Sequence, residues 1–377
     1  MELEAARDLF PFVTEQLYLN HAASSPLSLR VEEAIRRYVS DRTRGGINNF
    51  KRDMQEIAAL RSALAELIGA DPERIALTSN TTHGLNIIAS GLSWSEGDEI
   101  LLSEMEFPAN VYPFLNLRRQ GVTIKHLPST DGKITIEDFA EHTTERTRLI
   151  SLSYVQYLNG YRADLTSVSD FCNANDILFI VDAIQGLGAI PLDVDHIRCD
   201  ALATGGHKWL MSPRGTGFLY LSEALQERLT PAYLGWLSVE NPFHFHDYKQ
   251  KLKPTAEQFE LATPNTIGAY GMHAAVQLLQ EVGLQKIERH ILDITGYLRN
   301  ELPKRGYEVK TTFTDQERAG ILLFSCGDPQ ENKRIFGKLS GKNVTISYRE
   351  GALRVAPHFY NTRADMDRFI GILEEVS

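Results

Sequence analysis

The sequence predicts an α/β protein whose central sheet is mostly parallel with helices on both faces, and three observations carry that expectation. Between Ile75 and Leu221, short apolar strand patterns alternate with helical ones. The run Ile177-Leu178-Phe179-Ile180-Val181-Asp182 reads as a buried parallel strand, and it delivers a carboxylate at the C-terminal edge, where such sheets bind ligands. A second apolar run, Ala201-Leu202-Ala203, then leads to Lys208, 26 positions beyond Asp182.

One acid and one lysine, each just past a strand, are what a pyridoxal phosphate (PLP) site requires. The lysine forms a Schiff base with the cofactor aldehyde. The carboxylate keeps the pyridine nitrogen protonated, so that the ring accepts electrons from a substrate carbanion.

Bulk properties narrow the class. At 377 residues the chain has room for two domains, and 43% hydrophobic with 23% charged residues is ordinary for a globular protein. A net charge of −10 without a basic patch argues against nucleic-acid or anionic-membrane partners. The acidic start lacks the pattern of a signal peptide, and no apolar run reaches membrane-spanning length. Cys172, Cys199 and Cys326 are scattered, which fits a reducing compartment and a cytoplasmic enzyme.

Along the chain, a short strand at Leu17 leads into Asn20-His21-Ala22-Ala23-Ser24-Ser25, a loop of small and polar residues. Asn20 and His21 are candidates for substrate contact; a turn whose Asn caps the next helix explains them equally well. Helical periodicity from Ser28 to Gly69 breaks near Arg44-Gly45-Gly46-Ile47-Asn48-Asn49. Strand Ile75–Thr78 runs into Ser79-Asn80-Thr81-Thr82-His83-Gly84 and a helix expected from Ile87. Hydroxyls at such a helix mouth suit a phosphate, because the free N–H groups and the helix dipole both favour an anion.

Strand Glu99–Ser103 precedes a shaped loop, Met105-Glu106-Phe107-Pro108-Ala109-Asn110, in which Phe107 either lies on a cofactor ring or packs in the core. Strands at Val122–Leu127 and Arg148–Tyr154 follow, the latter reaching Gln156 and Tyr157 at the same sheet edge, where Tyr157 is a further candidate for substrate contact. Regularity fades between Ala232 and Gln258; His244 and His246 lack a third metal ligand, so no metal is expected. A long helix opens after Ala262-Thr263-Pro264-Asn265, and alternating helices and strands then end at Glu375. The expected division is a large domain over 15–260 and a smaller α+β domain formed by 1–14 and 261–377. The Asn20-His21 loop, the Arg44 to Phe50 segment and the Trp236 region are expected to shape the pocket.

Five motifs occur in the order of a known family: Thr81-Thr82 with Gly84 and Asn86, Asp182-x-x-Gln185, Gly206-His207-Lys208, Ala262-Thr263-Pro264-Asn265-Thr266, and Arg354-x-x-Pro357-His358-x-Tyr360-Asn361-Thr362. The chain resembles the class V aminotransferases, fold-type-I PLP enzymes that include cysteine desulfurases, kynureninase and isopenicillin N epimerase. The resemblance implies that Lys208 holds the cofactor and moves protons at the substrate Cα, that Asp182 pairs with the pyridine nitrogen, and that Gln185 bonds the phenolic oxygen. It further implies that Thr81, Thr82, His207 and, from a second subunit of a homodimer, Thr263 form the phosphate region. Arg354 would grip the substrate carboxylate bidentately.

Two departures stand out. The loop before Arg354, Asn343 to Leu353, lacks the cysteine that desulfurases use, and Phe107 stands where the family has a ring-stacking histidine. Phenylalanine stacks but transfers no proton. The resemblance therefore implies an enzyme of α-amino acids or related amines, with transamination ahead of lyase or epimerase chemistry. A non-catalytic PLP-fold module is a third reading, against which the retained lysine, acid, glutamine and arginine argue. A nucleotide-binding enzyme is disfavoured by the lack of a Gly-x-Gly-x-x-Gly loop after an early strand.

Overall fold

A computed structural model describes residues 1–45, 47 and 49–377. Gly46 and Asn48, within the expected loop after Arg44, lie outside the described residues.

Strand β1 (Leu17–Tyr18) is followed by seven strands of one sheet: β2 (Ile75–Thr78), β3 (Glu99–Ser103), β4 (Thr123–Leu127), β5 (Thr147–Ser153), β6 (Leu178–Asp182), β7 (Ala201–Gly205) and β8 (Gly217–Leu221). Their spatial order is β2-β8-β7-β6-β5-β3-β4. All neighbours are parallel except β8, which runs antiparallel to both β2 and β7. Strands β6, β7 and β8 are buried throughout, as central strands covered on both faces must be. The register places Ser153 opposite Asp182 and Asp182 opposite Ala203, so the strand ends converge on one edge.

The helix expected from Ile87 begins at Thr81 and runs to Gly91. Asn80 is its cap, with Oδ1 accepting from His83 N–H at 2.9 Å, so Thr81 and Thr82 belong to the first turn. Gly84 lets this helix lie close on the sheet, since a Cβ there would stand 3.0 Å from the Ala203 Cβ.

Beyond the sheet lie β9 (Glu308–Val309), β10 (Leu322–Ser325), β11 (Val344–Thr345), β12 (Ser347–Arg349) and β13 (Ala352–Val355). The run from Val344 forms two strands. Strand β11 pairs in parallel with β1, whereas β12 forms an antiparallel hairpin with β13. The buried cores group elements that are distant in sequence. Helix Thr266–Val282 shares a core with helix Phe50–Ile68, whereas Leu17 and Leu19 are buried with Leu322, Phe324 and Val355 of the C-terminal sheet. Strand pairing decides this, because β1 is held by β11. No helix among the described residues is long and apolar enough to cross a membrane.

Candidate active site

A cavity of about 280 Å³ opens at the converging strand ends, lined by Thr81, Thr82, Phe107, Tyr157, Gln185, His207, Lys208, Arg349 and Arg354 among others. Residues from opposite ends of the chain meet there.

Lys208 follows β7, and its side chain is buried with Nζ 5.4 Å from the centre of the Phe107 ring. Burial pushes its ammonium below the ordinary lysine range, the Asp182 carboxylate pulls it back, and Arg354 and Arg349 push it down further. Asp182 closes β6 and is 1% exposed. Its Oδ1 accepts from Ile184 N–H at 3.0 Å, while Oδ2 has no partner among the described residues. Burial raises this carboxyl; the Ile184 N–H opposes that, and Glu106 raises it further.

Glu106 is a second buried acid, which sequence reasoning missed. It accepts from Asn110 Nδ2, Ser153 N–H and Gln156 Nε2, each at 2.9 Å, and from the Ser153 hydroxyl. Those bonds tie the Phe107 loop to the end of β5, beside Asp182. Phe107 itself is 41% exposed and meets Tyr157 edge-on at 5.2 Å. Gln185 lies beneath the cavity, its Nε2 donating to the Ala22 carbonyl at 3.0 Å and its Oε1 accepting from Trp209.

At the opposite wall, Arg354 on β13 is 2% exposed and has no carboxylate partner among the described residues. Its guanidinium donates to the Tyr157 carbonyl and, at 3.3 Å, to the Ser347 hydroxyl, and Nε has no partner among the described residues. Burial brings it down to about 10. Asn20 does not line the cavity; its Oδ1 accepts from the Ser347 hydroxyl at 2.5 Å, so it supports Arg354 from behind.

His21, expected at the substrate, is not among the residues that line the cavity. It is fully buried, with Nδ1 2.8 Å from the Ala356 carbonyl and Nε2 2.7 Å from the Tyr360 hydroxyl, so neither ring nitrogen is left for a ligand. Thr263 is exposed and outside its own chain's cavity, in a separate groove with Ser79, His83 and Gly215. Trp236 also lies elsewhere, against Phe243. Arg349 lines the cavity and was not foreseen, because nothing in the pattern of an exposed strand end shows which way it turns.

These residues fit PLP. A buried carboxylate oxygen without a donor is costly unless a cationic N–H meets it, as a pyridinium would. The Thr81 hydroxyl is likewise buried without a partner among the described residues at a helix start, a fitting place for a phosphate oxygen.

Comparison with known proteins agrees. The Aminotransferase class-V family profile matches residues 17–369. An uncharacterized aminotransferase of Bacillus subtilis, YcbU, is 29% identical, covering 96% of this chain and 95% of that protein. A probable cysteine desulfurase of Methanothermobacter thermautotrophicus is 27% identical over 100% of this chain and 98% of its own. Among solved structures, C-DES with glycine covalently linked to its PLP cofactor superposes with a TM-score of 0.90 at 27% identity, over 98% of this chain and 99% of the other. The complex of that cystine C-S lyase with cysteine persulfide gives 0.89 at 27% identity, over 98% and 100%.

Proposed function

The chain belongs to the PLP-dependent class V aminotransferase family, and from that premise we propose that it is an aminotransferase acting on an α-amino acid or related amine. The observation that carries the substrate class is Arg354: a guanidinium 2% exposed, facing the cavity beside Lys208 and without an acid, suits a carboxylate. When bound, PLP supplies an aldehyde that joins amines and a ring that takes up electrons from Cα.

The residues then divide the work. Lys208 would hold the cofactor and, with its amine depressed by burial, take and return the proton at Cα. Asp182 Oδ2 would keep a proton on the ring nitrogen, and Gln185 would donate its remaining N–H to the phenolic oxygen. Thr81, Thr82 and His207 would hold the phosphate, with Thr263 of a second copy completing it. Exposed Leu234, Phe243 and Phe245 offer apolar area for that homodimer. Transamination asks least of these groups, because one base moves one proton between two positions, whereas inversion at Cα needs a second titratable group where Phe107 stands.

Desulfurase chemistry lacks its thiol. Cys326, the nearest cysteine in sequence, is a contact of the Asp328 carbonyl and does not line the cavity. A second reading, a C-S lyase, is favoured by the likeness to C-DES.

The test is to add single amino acids to the PLP-loaded protein and follow the visible spectrum and products. Formation of pyridoxamine phosphate with the matching oxo acid supports transamination. Pyruvate and sulfur release from cystine would support the lyase instead, and no change with any amino acid or related amine would sink both. Borohydride reduction should fix the cofactor at Lys208, and a label elsewhere would refute that role.

A further inference from the structure

We infer that Arg349 forms a second anion position at the outer end of the same cavity, so that the preferred amino donor or acceptor is a dicarboxylate. The inference rests on the reading of Arg354 as the holder of the α-carboxylate.

The hairpin supplies the geometry. In the β12–β13 register Ser347 stands opposite Arg354 and Arg349 opposite Ala352. Residues two apart on a strand share a face, so Ser347 and Arg349 point to one side together with Arg354. The two-residue step from the Ser347–Arg354 pair to the Arg349–Ala352 pair advances about 7 Å, the scale of the separation between the carboxylates of a short dicarboxylic acid. Both arginines line the cavity with Lys208.

Arg349, exposed at the cavity mouth, has no ion-pair partner among the described residues that accounts for this placement. Its one hydrogen bond goes to the adjacent Tyr348 carbonyl at 3.0 Å, and no acid pairs with it among the described residues. In a chain of net charge −10, arginines readily find acids, as Arg7 does with Asp365 and Arg61 with Glu260. Two unpaired guanidinium groups beside a buried lysine repel each other, and a ligand with one negative charge relieves only part of that repulsion. The phosphate candidates Thr81 and Thr82 line the same cavity from the start of a helix whose free N–H groups already suit a phosphate, and the second anion at Arg349 is assigned to the substrate. A planar guanidinium favours a carboxylate there.

The experiment is calorimetric binding of unreactive acids to the PLP-loaded protein: glutarate against butyrate, for the natural chain, Arg349→Gln and Arg349→Lys. Glutarate should bind the natural chain roughly tenfold more tightly than butyrate, Arg349→Gln should bring the ratio close to one, and Arg349→Lys should restore part of it. A ratio near one in the natural chain, or an unchanged ratio in Arg349→Gln, overturns the inference. Competition of butyrate with alanine for the spectral change separates the two readings. Butyrate that competes without any advantage for glutarate removes only the Arg349 position; butyrate that does not compete removes the Arg354 reading and this one with it.

Discussion

Trp209 donates its indole N–H to Gln185 Oε1 at 2.9 Å, and that single bond fixes which end of the amide faces inward. An indole nitrogen only donates, so Oε1 must be the atom beside it. Nε2 then gives one hydrogen to the Ala22 carbonyl and keeps one. Gln185 therefore offers the cavity a donor, which suits an oxygen acceptor on a bound cofactor.

Trp209→Phe should cost about 1–3 kcal/mol, because Oε1 of a buried amide loses its donor. Urea unfolding of the cofactor-free protein measures it. PLP affinity should fall as well, since the amide is then free to turn its oxygen inward. Unchanged stability and affinity would show that Trp209 only fills space.

Asp182→Asn separates stability from function. A buried carboxylate oxygen without a donor is worse placed than a neutral amide, so the cofactor-free variant should melt at a higher temperature than the natural protein. Turnover of the loaded variant should fall on the order of 100-fold, because a preorganised charge is lost. A lower melting point and retained turnover would contradict both halves.

Glu106→Gln tests the second acid. The carboxylate faces only donors, so an amide NH₂ in its place leaves some of them unpaired, at about 1–3 kcal/mol. Removing this negative neighbour should also lower the Asp182 carboxyl, and the pH titration of the bound cofactor's absorption should move to lower pH. Movement to higher pH would contradict the assigned field.

His358 links pH to stability. Burial holds it down at about 4, although the Trp209 carbonyl at 2.9 Å from Nε2 works the other way. An unfolded histidine takes up its proton near pH 6.5, so between about pH 6.5 and 4 the unfolded chain binds more protons. Stability is therefore complete above that window and is lost as pH falls through it, by about 1.4 kcal/mol per unit. His358→Gln carries no such proton. Its stability deficit at pH 7 should narrow toward pH 4, which thermal unfolding of both proteins at each pH would show; a constant deficit would refute the assignment.

Much of this protein is legible along the chain. Asp182 and Lys208 stand out in the sequence because a buried parallel strand has a continuous apolar run and ends at the ligand edge, a local pattern. Thr81 and Thr82 follow from a strand that turns into a helix, and the alternation of elements predicts the sheet. Arg354 was reached through family resemblance, since an arginine in a short strand says nothing by itself about a carboxylate.

Other features depend on distant partners. The partners of His21, Ala356 and Tyr360, lie 335 and 339 positions away, and only the closed fold shows that both ring nitrogens are taken. Asn20 reaches Arg354 through Ser347, 327 positions off. Glu106 matters because β5 and β6 lie side by side, and Arg349 because a hairpin faces it toward Lys208. Local periodicity states which residues want burial and which strand ends carry chemistry. The direction of a polar side chain is set by what packs on its other side, and for these residues that neighbour comes from the far end of the chain.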